Sequence, residues 1–268
     1  MPELPEVETI ARNLRADVCG RQVRAVSVLW PRTIAEPSPE AFVPRLTGQS
    51  ILGVSRRAKY LIFSLSRDTL LIHLRMSGDL QWRAPGEPPQ KHDRLWLSLY
   101  ADGEERVLAF HDPRKFGRVW LVEQADRVLG DLGPEPLEEA FTAQMLFERL
   151  QASHRQIKAL LLDQRFLAGL GNIYSDEALH RAGIHPLRFA SDLSEREATH
   201  LWQAIRDVLE EGIRRNGASI DWVYRGGEFQ NYFQVYARQG EACYRCGQPI
   251  QRLRIAQRSS YFCAGCQK

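Results

Sequence analysis

The sequence lacks the features that would place it at a membrane or in the secretory pathway. It contains no apolar run of the roughly 18 residues that a membrane-spanning helix needs, and no signal peptide precedes the first predicted helix. A large net charge is also missing, since 36 basic and 33 acidic residues leave only +3. This balance does not by itself indicate a nucleic-acid ligand. We therefore expect a cytoplasmic globular protein, and 268 residues are enough for two domains with their own cores.

The small positive charge is unevenly distributed. The segment Ala237–Lys268 contains six basic residues and the single acid Glu241, so its net charge of +5 exceeds that of the whole chain. We infer that this segment is the part of the chain best suited to an anionic partner.

Cysteine is scarce, but four of the five cysteines follow a pattern. They form Cys243-x2-Cys246 and Cys263-x2-Cys266, a spacing typical of a tetrahedral zinc site with four thiolate ligands on a β-hairpin. Disulfides are the alternative interpretation, although no secretory signal supports it. Cys19, near the end of the first predicted helix, is expected to pack without a chemical role.

The N-terminus, Met1-Pro2-Glu3-Leu4-Pro5, has a possible chemical use. If Met1 is removed, Pro2 carries a free secondary amine. An α-amino group has a pKa near ~7.7–8.0, so much of it is unprotonated at neutral pH and can attack a sugar carbon to form an iminium intermediate. Glu3 is close enough to move protons. A structural interpretation also fits, because proline is favoured at a helix start, and both interpretations can hold together.

The distribution of apolar residues predicts an α+β, multidomain fold. Short runs rich in Val, Ile, Leu and aromatics, at even spacing, favour an N-terminal β-sandwich behind an N-terminal helix. The proline-rich segment Leu132–Pro136 is typical of a domain boundary, and helical periodicity follows it. The predicted strands are 23–30, 50–55, 59–66, 70–75, 95–100, 106–110 and 118–122, and the predicted helices are 137–150, 154–163, 172–182 and 194–214.

A glycine-containing loop lies between two of these helices. In Phe166–Tyr174, two glycines precede Asn172 at a predicted helix start, a pattern that can place backbone N–H groups against a phosphate. Lys158, one helix earlier, could supply a positive charge for that phosphate. The alternative is a tight turn in which Asn172 caps the helix.

Together these features resemble the formamidopyrimidine-DNA glycosylase and endonuclease VIII family of DNA-repair enzymes. The resemblance covers the full length and rests on four motifs in the family's order: Pro2–Glu8, His111–Gly117, Leu161–Glu177 and the cysteine hairpin. Leu4, together with the Asp-Pro-Arg-Lys-Phe run inside the second motif, is similar to the formamidopyrimidine branch.

The resemblance implies a bifunctional DNA glycosylase and AP lyase of base excision repair. Such an enzyme would remove oxidised purines (formamidopyrimidines and 8-oxoguanine) from duplex DNA, then cut the abasic strand by β- and δ-elimination. Pro2 would be the nucleophile at the sugar C1′, and Glu3 would handle protons at the ring oxygen. Glu6 would act near the everted nucleotide. Lys59 corresponds to the family's lysine that contacts the lesion-side phosphate.

The resemblance also assigns residues to the hole that an everted base leaves in the duplex. Met76 corresponds to the residue that fills the hole, Arg114 to the one that bonds the orphaned base, and Phe116 to the wedge beside it. Eversion costs a few kcal/mol, and an apolar chain, a planar donor and a flat ring suit an opened base step. Without the family, Met76 and Phe116 would more often be core residues. Lys115 and His92 are predicted phosphate contacts.

The second half would hold the DNA backbone and one structural Zn²⁺. Lys158 and Asn172 would contact the backbone from a helix-two-turn-helix element, and Arg258 from the zinc hairpin. The expected domains are 1–132 (catalytic β-sandwich), 133–236 (helix-two-turn-helix, with a lesion-capping loop) and 237–268 (four-cysteine zinc finger). The expected partner is damaged double-stranded DNA, bound by a monomer associated with the bacterial nucleoid.

One segment departs from the family pattern. Between Ile220 and Phe229 the lesion-capping loop is shorter than is usual in the formamidopyrimidine branch, by about one helical turn of 3.6 residues, and it carries Trp222. This departure leaves open an endonuclease VIII-like preference for oxidised pyrimidines. A third hypothesis is a non-catalytic damage-binding protein, which would follow if Met1 were retained and Pro2 had no free amine.

Overall fold

The structure is a computed structural model that describes residues 1–219 and 226–268. The described residues divide into two compact units, one formed mainly by Glu6–Gly130 and the other by Glu3–Pro5, Asp131–Ala218 and Gly227–Lys268. None of the helices in these described ranges is long and apolar enough to span a membrane.

The first unit is dominated by β-strands. Its elements are α1 (Leu4–Val18, of which Glu6 onwards belongs to this unit), β1 (Gln22–Val28), β2 (Ile34–Glu36), α2 (Pro39–Leu46), β3 (Ile51–Arg57), β4 (Tyr60–Leu65), β5 (Thr69–His73), β6 (Asp79–Arg83), β7 (Asp93–Ala101), β8 (Glu104–His111), β9 (Arg118–Val122) and α3 (Asp126–Leu129).

Two sheets enclose the core of this unit. One has the order β1-β7-β8-β6 and the other β2-β9-β5-β4-β3. The short β2–β9 pair is parallel, and the other neighbouring pairs of these strands are antiparallel. Apolar side chains of both sheets pack in one cluster with Val7, Ile10 and Leu14 of α1. The arrangement confirms the predicted β-sandwich with an N-terminal helix.

Four elements of this unit were not predicted from the sequence: the strands β2 and β6 and the helices α2 and α3. Strand β6 alternates polar and apolar residues but is five residues long with two apolar residues, Leu80 and Trp82, and β2 is three residues long, so each gives only a short hydrophobic pattern. Helix α2 begins with Pro39 after the cap Ser38, whose hydroxyl accepts a hydrogen bond from Ala41 N, and it contains Pro44. The first turn of a helix tolerates Pro39, but Pro44 lies in the second turn and lacks the N–H that would bond to the carbonyl of residue 40, so it argues against a helix in the sequence.

The second unit is helical and ends in a hairpin. Its elements are α4 (Ala143–Gln151), α5 (Ile157–Leu161), α6 (Asn172–Ala182), α7 (Glu195–Arg214), β10 (Gln251–Ile255) and β11 (Arg258–Phe262), with short 3-10 turns at Ala190–Asp192 and Phe229–Tyr232. The four helices share one apolar core, which also takes up Leu4. The capping box of Ser194 and Glu197 is present at the start of α7.

The predicted bounds of two helices were wrong. Helix α4 begins at Ala143 rather than at 137, because the Thr142 side chain caps it by accepting a hydrogen bond from Met145 N at 3.1 Å. Helix α5 covers only Ile157–Leu161 of the predicted 154–163. Helix α6 ends where predicted, since Gly183 adopts a left-handed φ of 74° that suits a residue without Cβ.

Candidate active site and nucleic-acid interface

The N-terminus of α6 holds the carboxylate of Glu3. Glu3 Oε2 accepts hydrogen bonds from Gly171 N at 2.7 Å and Tyr174 N at 3.4 Å, and Oε1 accepts one from Ile173 N at 3.0 Å. The first N–H groups of a helix have no partner within it and carry partial positive charge, so they favour an anion. Glu3 is only 2% exposed. The structure therefore fixes this carboxylate in the second unit.

These contacts correct the sequence-based interpretation of the glycine loop. The backbone N–H groups expected to face a phosphate bind Glu3 instead, and Gly171, not Asn172, is the N-cap of α6. A Cβ at Gly171 would lie 2.4 Å from Glu3 Cδ, so only glycine fits at this position without displacing the carboxylate.

The other predicted catalytic residues belong to the first unit. Pro2 directly precedes Glu3 in the chain and is buried, as is Glu6 in the first turn of α1. Lys59 is 4% exposed and lies in the turn between β3 and β4, next to Ala58, whose φ is +52°.

The three residues assigned to the opened base step lie exposed on two loops of the first unit. Met76 is 39% exposed and Phe116 48%, and the Arg114 guanidinium lies 5.1 Å from the centroid of the Phe116 ring. Each loop has one residue in the left-handed region, Arg75 at φ +55° and Lys115 at φ +61°. Core side chains are buried, whereas these apolar side chains are exposed on strained loops. The geometry therefore favours a binding role over a core role for Met76 and Phe116.

Asp112 joins these two loops. Its carboxylate accepts hydrogen bonds from Ser77 Oγ at 2.5 Å and Gly117 N at 2.7 Å, and from Arg114 N at 3.2 Å. Asp112 is fully buried. Ser77 follows Met76, so one side chain fixes the loop of Met76 and the loop of Arg114 at the same point.

A second buried carboxylate supports the beginning of the Asp112 loop. Asp93 accepts hydrogen bonds from Arg83 Nη2 at 2.7 Å and Trp96 Nε1 at 2.8 Å, and its carboxylate lies 3.0 Å from His111 Nδ1. Burial alone would raise the pKa of Asp93, but the bonds from Arg83, His111 and Trp96 outweigh it and lower the pKa to about 2. Asp93 is therefore ionised and holds His111, which precedes Asp112.

The two predicted phosphate contacts of this unit lie close to other side chains. The Lys115 Nζ lies 4.0 Å from the centroid of the Trp30 ring, a cation–π distance. His92 packs edge-on against His111, and its Nδ1 lies 3.3 Å from Arg94 Nη2. Lys115 is exposed and His92 half-buried.

Lys158, Asn172 and the hairpin strand β11 meet around α6. Lys158 is fully buried and forms an ion pair of 2.7 Å with Asp176; it also donates a hydrogen bond to Asn172 O at 2.9 Å. Burial lowers the pKa of Lys158, and the charge of Asp176 offsets part of this effect. Asn172 Nδ2 donates to Ser259 O at 2.7 Å, beside the exposed Arg258. The structure thus brings the three predicted backbone contacts into one region, with Lys158 already paired.

Two further acids of α6, which the sequence did not single out, hold other segments of this unit. Asp176 accepts hydrogen bonds from Ser260 Oγ at 2.5 Å and Tyr261 N at 2.9 Å of β11. Glu177 is 3% exposed and accepts three bonds of 2.9–3.0 Å from the backbone N–H groups of residues 234–236. Burial raises the pKa of both carboxyl groups.

The four paired cysteines form one cluster. Their Sγ atoms all lie within 4.8 Å of one another. The Sγ atoms of Cys243 and Cys266 are 3.8 Å apart, and those of Cys246 and Cys263 are 3.4 Å apart. Neither pair of sulfurs forms a disulfide, because an S–S bond is about 2.05 Å long. A tetrahedral zinc ion with Zn–S bonds of about 2.3 Å separates its sulfurs by about 3.8 Å, so the cluster has the ligands and size for zinc.

Two remaining predictions have different outcomes. Cys19 packs against the core of the first unit, as expected of a residue without a chemical role. The lesion-capping segment around Trp222 falls on residues 220–225, outside the described residues.

Comparison with known protein families gives three matches in chain order. The model for the formamidopyrimidine-DNA glycosylase N-terminal domain matches residues 1–119, the model for the formamidopyrimidine-DNA glycosylase H2TH domain matches residues 132–223, and a zinc finger found in FPG and IleRS matches residues 240–268.

Full-length relatives agree with these matches. The formamidopyrimidine-DNA glycosylase of Pelotomaculum thermopropionicum is 47% identical, with 100% of this chain and 99% of the relative covered. That of Herpetosiphon aurantiacus is 44% identical, with 100% of both covered.

The chain belongs to the formamidopyrimidine-DNA glycosylase family.

Solved structures of this family have the same fold. A complex of Lactococcus lactis Fpg with DNA containing an abasic site matches with a TM-score of 0.92 at 38% identity, covering 99% of both chains. A complex of the same bacterium's Fpg with DNA containing N7-benzyl-Fapy-dG matches with a TM-score of 0.93 at 39% identity, covering 100% of both. The family resemblance and the α+β fold predicted from the sequence are confirmed.

Membership of the family also confirms the predicted reaction class. The protein is a DNA glycosylase of base excision repair, in a family whose AP lyase activity is known, and the non-catalytic and endonuclease VIII-like alternatives are not favoured. The sequence could not reveal Asp112 or Glu177 as organising residues, because each bonds a distant segment. Asp112 accepts a hydrogen bond from the Ser77 hydroxyl, and Glu177 accepts bonds from the backbone N–H groups of residues 234–236.

Proposed function

We propose that the protein excises oxidised purines from damaged double-stranded DNA with Pro2 as nucleophile, and then cuts the strand at the abasic site. After removal of Met1, the Pro2 amine attacks C1′ of the damaged nucleoside and the base leaves. The C1′–O4′ bond then breaks as O4′ takes up a proton, which opens the sugar ring and leaves an iminium ion between Pro2 and C1′. The iminium acidifies the C2′ protons, so elimination expels the 3′ phosphate, and a second elimination expels the 5′ phosphate.

The observation that carries this proposal is the placement of Glu3. Glu3 directly follows Pro2 in the chain. Its carboxylate is buried and accepts hydrogen bonds from three backbone N–H groups at the start of α6. A carboxylate fixed so rigidly can take the proton that the Pro2 nitrogen loses on attack and pass it to O4′ as the sugar ring opens, because general acid–base catalysis depends on accurate placement. Glu6 and Lys59 are proposed to contact the everted nucleotide and its phosphate.

The exposed loops of the first unit are proposed to hold the duplex open. Met76 would fill the space of the everted base, Arg114 would donate hydrogen bonds to the orphaned partner base, and Phe116 would stack on the neighbouring step. Their exposure and the Arg114–Phe116 stacking support this role. Lys115 and His92 would contact phosphates on the same side.

The second unit is proposed to hold the DNA backbone and a structural zinc ion. Arg258 and Asn172 would contact phosphates, and Lys158 would support them through its bond to the Asn172 carbonyl. Zinc bound by Cys243, Cys246, Cys263 and Cys266 would stabilise the hairpin that carries Arg258, and with four thiolates it would have no open position for water.

The remaining proposals concern organisation and place. We propose three functional modules, at 1–132, 133–236 and 237–268, that act as a monomer on one lesion, in the cytoplasm at the bacterial nucleoid, where the substrate is. Analytical ultracentrifugation with a lesion duplex should give one protein per duplex; a dimer would contradict the monomer.

The Pro2→Gly variant tests the nucleophile. It should bind an abasic duplex as tightly as the wild type but lose most strand cleavage, since the N-terminal secondary amine is gone. Binding and single-turnover cleavage would be measured on the same duplex, and intact mass would establish that Met1 is absent from both proteins. Full cleavage by the variant would refute the assignment, and a wild type that retains Met1 would exclude the Pro2 mechanism in that preparation.

Lesion preference is tested by competing substrates. Under single turnover, duplexes with 8-oxoguanine or a formamidopyrimidine should be cut faster than one with thymine glycol. Faster cutting of thymine glycol would replace the purine preference by the endonuclease VIII-like one.

A further inference from the structure

His180 lies in the last turn of α6 with its ring against the cysteine cluster. The residue is 0% exposed, and its Nε2 lies 3.7 Å from Cys243 Sγ. This is a hydrogen-bond distance for a sulfur acceptor, since N–H···S bonds are longer than N–H···O bonds. Cys243 is itself 3% exposed, so water does not compete at this contact.

The second ring nitrogen of His180 indicates where the ring proton lies. Nδ1 is buried and has no hydrogen-bond partner within the described part of the chain. A proton on Nδ1 would be a buried donor without an acceptor, which is unfavourable. A proton on Nε2 points to the Cys243 sulfur, and Nδ1 then remains a bare acceptor. The geometry therefore selects the Nε2–H tautomer.

We propose that His180 donates its Nε2–H to the Cys243 thiolate and is thereby a positioning residue of the metal centre. The inference rests on the proposed zinc site. A hydrogen bond to a metal-bound thiolate withdraws charge from the sulfur and fixes its direction, as partners outside the ligand shell commonly do. The same hydrogen bond also opposes protonation of the Cys243 sulfur and its dissociation from the metal.

A second contact fastens the same cysteine knuckle to α6. The Arg245 Nη1 donates a hydrogen bond to His180 O at 3.0 Å, which places a cation at the carboxyl end of the helix, where the dipole favours it. The start of the same helix holds Glu3, as described above. Helix α6 is thus a rigid connection from the metal cluster to the proposed proton-transfer carboxylate, and His180 lies at its metal end.

Substitutions at His180 separate the hydrogen bond from packing. In His180→Phe the ring volume is kept and the donor is lost, while in His180→Gln the side-chain amide can place a donor near the position of Nε2. His185→Phe is the matched control, because His185 also packs beside the hairpin but its ring contacts Phe262. Each full-length protein would be loaded with zinc and mixed with a chromogenic chelator, and the rate of zinc release recorded.

We expect zinc release from His180→Phe to be about 10- to 100-fold faster than from the wild type, the range found for partners of metal ligands. His180→Gln should recover most of the difference, and His185→Phe should release zinc at the wild-type rate. Equal rates for His180→Phe and the wild type would overturn the proposal. So would equally fast release from the Phe and Gln variants, which would assign the effect to packing.

A measurement on the unaltered protein covers the case in which the variants do not fold. Nitrogen NMR of the zinc-loaded protein should show a protonated Nε2 and a bare Nδ1 for His180; a proton on Nδ1 would overturn the proposal. A wild type that binds no zinc would overturn both this inference and the zinc site. Zinc bound with four cysteines and no proton on Nε2 would overturn this inference alone.

Discussion

The substitution Gly171→Ala tests whether catalysis depends on the placement of Glu3. A Cβ at residue 171 would lie 2.4 Å from Glu3 Cδ, 2.5 Å from Oε1 and 2.8 Å from Cγ. The backbone of Gly171 itself accepts alanine, since its φ of −133° is extended. The three heavy atoms nearest to the added Cβ all belong to the Glu3 side chain, so the substitution acts on the carboxylate without removing it.

The size of the effect follows from the distances. Carbon atoms in contact lie about 3.5–4.0 Å apart, so Glu3 must move by about 1 Å. A displacement of about 1 Å at a catalytic group can cost about 100-fold in rate, which is about 2.7 kcal/mol in activation free energy. We expect Gly171→Ala to lose about this factor in the single-turnover rate of base excision.

The assay needs a control for the general effect of glycine replacement. Excision from an 8-oxoguanine duplex would be compared for the wild type, Gly171→Ala and Gly53→Ala, since an added Cβ at Gly53 meets nothing within 4 Å. Gly53→Ala should have the wild-type rate, and thermal unfolding should establish that both variants fold. Wild-type excision by a folded Gly171→Ala would refute the claim that the α6 N-terminus places Glu3 for catalysis.

Three further predictions concern other parts of the molecule. Arg258→Ala should weaken binding to all duplexes alike and reduce the slope of log K against log salt by about 1; an effect on one lesion alone would contradict a phosphate contact. Asp112→Asn should lower the free energy of unfolding by about 2 kcal/mol and slow excision more than cleavage of a preformed abasic site, and equal slowing of both would exclude a specific role in base eversion. Because the pKa of Asp93 is lowered to about 2 in the folded protein, its stabilisation of about 2 kcal/mol is complete above the unfolded pKa near ~3.9 and is lost as the pH falls towards 2. The difference in melting temperature between the wild type and Asp93→Asn should therefore shrink from pH 5 to pH 2, and a constant difference would contradict the ionised Asp93.

The parts of the structure that depend on residues close together in the sequence were predicted best. The strands of the sandwich are indicated by hydrophobic repeats, and the helices α6 and α7 by hydrophobic repeats and capping residues. Both signals depend only on residues that are near one another in the sequence. The cysteine spacing predicted the cluster for the same reason, because each pair lies on one short turn. The start of α4 was wrong because the decisive cap, Thr142, lies inside a segment of helical appearance.

Contacts between distant segments account for what the sequence did not reveal. The sequence of the glycine loop is compatible with a phosphate site or a tight turn, and it does not show that the partner of the Gly171 N–H group is Glu3, 168 residues earlier. Asp176 and Glu177 look like ordinary polar residues of a helix, but they accept hydrogen bonds from residues that lie 57 to 85 positions later in the chain. Only the folded chain shows that α6 is the element on which the second unit is arranged.

Reductive trapping on a duplex with a single abasic site tests directly whether Pro2 is the nucleophile. Borohydride would be added to the reacting complex, and the cross-linked peptide would be mapped by mass spectrometry. We expect a covalent adduct on the nitrogen of Pro2, because the iminium intermediate forms there. An adduct on a lysine such as Lys59, or no adduct from protein shown to lack Met1, would contradict this expectation.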